Sequence, residues 1–263
     1  MRKARIFRPY LFVAAAIAAA ATFGFLLSDI AVEAQGAQPS RTATFAPEQA
    51  SVNIPEDGAY FANDDFRFTV AHKYGVTLLQ FSGDDEVFVL TVERAPVGAH
   101  ILKYDTGDVA LQVTGYGAVT LYTSSAPGGL PAARTGDGDP IRFPVPSLSM
   151  VRAQATRLGN LLQQVTSMDV TFDADWPNLE DSAERYLTLD AMRITTRALR
   201  GLCANRALDA ALAAKVHGIY MVRGDKPAAT IRNGVLTVAI APQYGLRGRL
   251  SSLATARAIR AQI

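Results

Sequence analysis

Between Asp64 and Ser124 the chain alternates apolar and polar residues. Phe66, Phe68 and Val70 alternate with Arg67, Thr69 and Ala71. Val109, Leu111 and Val113 alternate with Ala110, Gln112 and Thr114, and Val119 and Leu121 with Thr120 and Tyr122. A period of two puts one set of side chains on one face of a strand, so these runs predict a sheet with one buried face. Val76–Phe81 and Val87–Val92 are more continuously apolar, the pattern of strands covered on both faces. His100–Tyr104 is a shorter run. Turn signals separate the runs at Lys73-Tyr74-Gly75, Ser82-Gly83-Asp84-Asp85, Pro96-Val97-Gly98, Asp105-Thr106-Gly107-Asp108, Gly115-Tyr116-Gly117 and Pro127-Gly128-Gly129. Six short strands at near-regular spacing predict an antiparallel β-meander over 64–124, either an open sheet or a partial barrel. The stretch Pro127–Pro146, centred on Gly136-Asp137-Gly138-Asp139-Pro140, reads as a loop.

The period then changes. Leu148, Val151, Ala155, Leu158, Leu162 and Val165 recur at spacings of three and four after Ser147, the stripe of an amphipathic helix. Ala183, Leu187, Ala191, Ile194, Ala198 and Leu202 repeat the pattern, with Asn178 as the expected N-cap. Met168–Phe172 is a candidate short strand and Asn205–Lys215 a further helix, so 147–215 is the helical region. Strand patterns return over 216–241, where Asn233-Gly234 lies between apolar runs. A type I′ turn needs positive φ at both central residues, and Asn-Gly supplies it. The tail 251–263 reads as a short helix capped by Ser251 or Ser252. Strands and helices are segregated along the chain, which predicts an α+β fold: the meander packed with two main helices and a C-terminal hairpin, over 64–263 as one domain.

The first residues carry a different signal. Arg2, Lys3, Arg5 and Arg8 precede an apolar run from Leu11 to Leu27, and small residues at Val32 and Ala34 fit a signal-peptidase site before Gln35. Residues 1–34 are expected to be a signal peptide or, read differently, an uncleaved anchor, since the run is near the lower limit for spanning a bilayer. Either places the body in the periplasm, free or tethered to the inner membrane, with membrane contact through this segment only if it is uncleaved. Residues 35–63 read as a flexible linker.

Composition sharpens this picture. Of 26 basic and 24 acidic residues, four basic and two acidic lie in 1–34, which leaves 22 of each and a neutral body. Such a body argues against nucleic-acid binding. A hydrophobic fraction of 49% excludes a disordered chain, and one cysteine excludes both a disulfide framework and a thiolate zinc cluster.

Candidate chemistry is sparse. His72, His100 and His217 have no neighbour at metal-ligand spacing. Ser124-Ser125 and Ser251-Ser252 fit turn and cap roles, and no nucleophile-elbow pattern occurs. Cys203 reads as a structural thiol. Asp137 and Asp139 form only a fragment of a calcium loop. The densest acidic group is Asp173, Asp175, Glu180 and Asp181 around the only tryptophan, Trp176. Converging carboxylates there would suit acid–base chemistry, and a helix first turn would equally explain them. Arg193, Arg197 and Arg200 share a helical face, and Arg247, Arg249, Arg257 and Arg260 follow the last acidic residue, Asp225, as a candidate contact for an anionic envelope component. No residue is assigned as catalytic, cofactor-binding or metal-binding, and no cofactor is expected.

Two stretches, "ILKYDTGDVALQVTGYGAVTLYTSSAPGG" and "NGVLTVAIAPQYGLRGRLSS", resemble the bacterial family labelled domain of unknown function 4908. The resemblance implies an exported envelope protein and assigns no reaction. The expectation is thus a non-enzymatic envelope protein that binds an unknown partner or supports structure. The alternatives are a small-ligand or lipid carrier with a cavity under the meander, lined by Phe68, Val70, Leu111 or Val113, and a hydrolase using Asp173 and Asp175.

Overall fold

The computed structural model describes residues 54–263; the expected signal segment and most of the linker lie outside the described residues. Eight antiparallel strands form a closed barrel in chain order: β1 (Gly58–Asn63), β2 (Phe66–Lys73), β3 (Val76–Phe81), β4 (Val87–Arg94), β5 (His100–Lys103), β6 (Val109–Val113), β7 (Val119–Thr123) and β8 (Ala126–Gly136). The six predicted strands are the middle six. The open-sheet and partial-barrel expectation is corrected by the two outer strands. Gly58–Asn63, assigned to the linker, pairs with both β2 and β8, and half of the predicted Pro127–Pro146 loop is β8. Neither has a strong strand pattern of its own; pairing makes them strands. Pro127 and Pro131 lie in the part of β8 that pairs with β7, before the residues Ala133, Arg134 and Gly136 that meet β1. A proline lacks the donor a two-sided strand needs, so it is tolerated where pairing is one-sided.

Inward residues fill the barrel. Phe68, Val70, Leu79, Leu90, Leu102, Leu111 and Leu121 form its core, and all are essentially inaccessible. Phe68 stacks on Tyr60 at 5.3 Å between ring centroids. The outward faces of β3 and β4 are covered as well: Val76, Leu78 and Val87 belong to a second core with the helices. The continuous apolar runs in these two strands therefore report burial on both faces, as the sequence suggested.

The second core lies between the barrel, four α-helices and a smaller sheet. The helices are α1 (Leu148–Val165), α2 (Ser182–Cys203), α3 (Arg206–Lys215) and α4 (Ser252–Arg260); two main helices is too coarse a description, and α3 and α4 are the further helices expected at 205–215 and 251–263. Ser147, Asn205 and Ser251 cap α1, α3 and α4 through their side chains; of the tail's two expected caps, Ser251 is the one used. The cap of α2 differs: Asp181, not Asn178, accepts the amides of Ala183 and Glu184. Asn178 sits in a short 3-10 turn with Pro177, and its side chain donates to Asp175.

The smaller sheet contains β9 (Phe172–Ala174), β10 (Gly218–Arg223), β11 (Ala228–Arg232) and β12 (Val235–Ile240), in spatial order β11-β12-β10-β9. The predicted hairpin is β11–β12, and Asn233 and Gly234 have φ of 50° and 81°. β9, β10 and β12 run parallel, with α2 and α3 crossing from β9 to β10. This corrects the expected hairpin alone: a parallel component exists because the three-residue β9 has a partner only after the helical crossover.

Candidate functional site

One end of the barrel is open. There the turns β1–β2, β3–β4, β5–β6 and β7–β8 surround a cleft of about 800 Å³. Its floor is the last inward residue of successive strands. Phe66 is in phase with Phe68, Phe81 with Leu79, Phe88 with Leu90 and Tyr104 with Leu102. The four rings form an edge-to-face chain, with centroids 6.4 Å (Phe66–Phe81), 6.2 Å (Phe81–Phe88) and 5.1 Å (Phe88–Tyr104) apart. Such pairs add about 0.5–1.5 kcal/mol each beyond the area they bury. The deeper layers are packed side chains, mostly aliphatic, with the stacked Tyr60–Phe68 pair among them. Phe68, Val70, Leu111 and Val113, the expected lining of a cavity, belong to that packed interior and do not line the cleft.

The rim is polar because of how the β3–β4 turn folds. Gly83 takes φ of 79°, Asp84 accepts the Glu86 amide through Oδ1 at 2.8 Å, and Gln80 donates to the Asp84 carbonyl at 2.9 Å. This leaves Asp84 Oδ2 free to pair with the Arg197 guanidinium from α2. Glu86 is buried, with its side chain 1% exposed. Its Oε1 accepts the Ser252 amide at 2.7 Å. Its Oε2 has no hydrogen-bond partner and lies 3.5 Å from Arg197 Nε. Burial raises the Glu86 pKa, against the lowering effect of the Ser252 bonds and of Arg249 and Arg197. Tyr104 is also pushed up, by burial and then by the Glu86 charge.

The C-terminal segment ties two of the four turns to the helices. Ser251 donates through N and Oγ to Asp105 at 2.7 and 2.6 Å. Arg257 donates to the Thr106 carbonyl at 2.7 Å and to Asp108 Oδ2 at 2.6 Å. Fully buried Arg249 donates to the Val87 carbonyl at 2.6 Å and pairs with Asp190 of α2. Gly248 makes this approach possible, since a Cβ there would collide with the Ala241 carbonyl. Of the four tail arginines, Arg249 is thus engaged in the interior, and Arg257 pairs with Asp108 at the surface.

The cleft also collects residues singled out separately in the sequence. Ser124 and Ser125 lie in the β7–β8 turn, and Ser252 begins α4; all three line the cleft with Arg197. The signal missed was the aromatic residue at the inward position beside each of several turns.

The acidic group behaves differently. Asp173 Oδ1 accepts from Trp176 Nε1 at 2.6 Å and from the Ala174 amide at 2.8 Å, Asp175 Oδ2 accepts from Asn178, and Asp181 caps α2. The carboxylates hold local turns and do not converge on one point. Asp175 borders a smaller cavity of about 310 Å³ at the carboxyl ends of β10 and β12, with Glu184, Thr188 and Arg223. Glu184 is buried, 3.5 Å from Arg223, and its pKa is raised by burial.

The remaining candidates are scattered. His72 pairs with Asp57 at 2.5 Å, His100 opens β5, and His217 precedes β10. Asp137 accepts from Arg134 at 2.8 Å. Cys203 contacts Met168 Sδ at 3.8 Å, and burial, with Asp209 nearby, pushes its thiol up to about 12, so it is un-ionised at neutral pH. Among the described residues, no group of three or more His, Cys, Asp or Glu is placed to hold a metal ion, and no helix is long and apolar enough to cross a membrane.

Residues 39–259 match the family model described as Domain of unknown function (DUF4908), which covers most of the chain. No curated protein and no solved structure matches it. The chain belongs to this family.

Proposed function

With that family membership as the premise, we propose that the chain is a non-enzymatic binding protein of the cell envelope, exported by residues 1–34, that seats a small, largely apolar molecule in the mouth of its barrel. The observation that carries this reading is the cleft itself. About 300–1,000 Å³ is the usual size of a small-molecule pocket, and such pockets join an apolar floor to a few convergent polar groups. Four aromatic rings and the Asp84–Arg197–Glu86 rim have that composition. The floor rests on a packed apolar interior, which supports a preformed site. The export reading rests on the basic start, apolar run and small-residue pair of residues 1–34.

The test is a fluorescence titration with N-phenylnaphthylamine, a neutral apolar probe that brightens out of water. The folded protein is expected to bind it saturably, and Phe81→Ala, at a half-buried ring, to weaken binding about tenfold, the loss of roughly 1.4 kcal/mol of apolar contact. No saturable signal, or an unchanged curve for Phe81→Ala, would overturn the reading.

A further inference from the structure

The cleft is unevenly charged. Three carboxylates line it, Asp84, Glu86 and Asp108, against one guanidinium, Arg197. Arg197 is already engaged by Asp84 and lies within ion-pair range of Glu86, and Arg257 is taken up by Asp108. The nearby Arg249 is held by Asp190. Among the buried side-chain atoms that line the cleft, Glu86 Oε2 has no hydrogen-bond partner, on a side chain almost wholly removed from water. An unmatched buried acceptor is costly, and the groups that relieve it are donors, best of all charged ones. The rings add to the same preference, because the face of an aromatic ring attracts a cation.

Resting on the reading of the mouth as a ligand site, we infer that its ligand is a cationic amphiphile: an apolar body carrying an ammonium group, whose N–H donates to Glu86 Oε2 while the body lies on Phe81, Phe88 and Tyr104. Burial raises the proton affinity of Glu86, and an ammonium beside Oε2 would offset the cost of keeping that carboxylate charged. An anionic ligand is disfavoured by the same charges, because the single cation at the rim is shared between two carboxylates.

Three probes of one shape separate the possibilities: naphthylmethylammonium, naphthylmethanol and naphthylacetate, titrated by calorimetry into the folded full chain. The ammonium is expected to bind about tenfold or more tighter than the alcohol, and the acetate weakest. Glu86→Gln, which keeps the acceptor for Ser252, is expected to bring ammonium and alcohol within about twofold of each other, chiefly by weakening the ammonium. Should that variant fail to fold, Arg197→Gln gives the opposite sign at a half-exposed position: removing the competing cation should tighten ammonium binding about threefold. Equal affinities for ammonium and alcohol, a preference for the acetate, or weaker ammonium binding in Arg197→Gln overturn this inference and leave the cleft reading standing. Failure of all three probes overturns both.

Discussion

The barrel mouth and the junction of β9 with α2 contain the same pair in different surroundings. At the mouth, buried Glu86 lies 3.5 Å from Arg197; at the junction, buried Glu184 lies 3.5 Å from Arg223. In both, burial raises the glutamate pKa. Glu86 shares its cleft with four aromatic rings, a rim made by separate turns, and a C-terminal segment that pins two of those turns. Around Glu184 stand aliphatic groups and the strand ends Met221–Arg223, with Arg223 largely exposed. Nearby Asp173, Asp175 and Asp181 are each engaged in a local turn or cap. A buried acid beside an arginine is therefore not a site by itself. What distinguishes the mouth is apolar area left open beside an acceptor left unmatched.

The comparison breaks most visibly behind the mouth. Arg249 joins the barrel to α2 through Val87 and Asp190, and removing one partner of a buried pair strands the other. Arg249→Ala is expected to cost about 3–5 kcal/mol in urea denaturation; a loss under about 1 kcal/mol would mean that the C-terminal segment does not hold the mouth.

A subtler difference lies in pH. Because burial raises the pKa of Glu86 in the folded state, its contribution to stability is complete below the unfolded value near 4.5 and falls as pH rises through the elevated folded value. Glu86→Gln should flatten that fall in urea-derived stability measured against pH. Glu184→Gln should flatten its own share and leave N-phenylnaphthylamine binding untouched. A loss of probe affinity in Glu184→Gln would remove the distinction between the two regions.

Smaller effects are expected among the local carboxylates. Asp173→Asn gives up part of the bond to Trp176 at an exposed position and should cost about 1 kcal/mol or less, with no change in probe binding. Asp209 is the mildest case. The Ser167 hydroxyl and amide lower its pKa, so its stabilising contribution is present above about 3.8, the unfolded value, and is lost as pH falls through the depressed folded value. Asp209→Asn should therefore be slightly less stable than the parent at neutral pH and equal to it in strong acid.

Much of the fold is legible in the chain. The period-two runs from Phe66 to Thr123 mark six barrel strands, Ser147 and Asn205 mark two helix starts, and Asn233-Gly234 and Ser251 mark a hairpin and a cap through local chemistry alone. The two strands that close the barrel are not legible, because Gly58–Asn63 and the proline- and glycine-rich Ala126–Gly136 become strands by pairing with neighbours and not by propensity. The candidate strand Met168–Phe172 overlaps the observed β9, Phe172–Ala174, only at Phe172, because pairing with β10 sets its bounds. The N-cap of α2 moved from Asn178 to Asp181 because Pro177 draws Asn178 into a 3-10 turn.

The site is legible only in pieces. Arg197, Ser124, Ser125 and Ser252 are each visible, but the contacts that gather them are Arg197 to Asp84, 113 residues apart, and Ser252 to Glu86, 166 apart. The acidic density around Trp176 attracts attention in the sequence because its members are neighbours in the chain. That same closeness lets them satisfy one another locally.

The most direct test of the barrel mouth as the binding site is a nuclear magnetic resonance titration of the labelled chain with N-phenylnaphthylamine. Binding there predicts chemical-shift changes concentrated at Phe66, Phe81, Phe88 and Tyr104, in the four turns of that end and at the start of α4. Saturable shifts centred instead on Asp175, Glu184 and Arg223, or spread without focus over the surface, would contradict it.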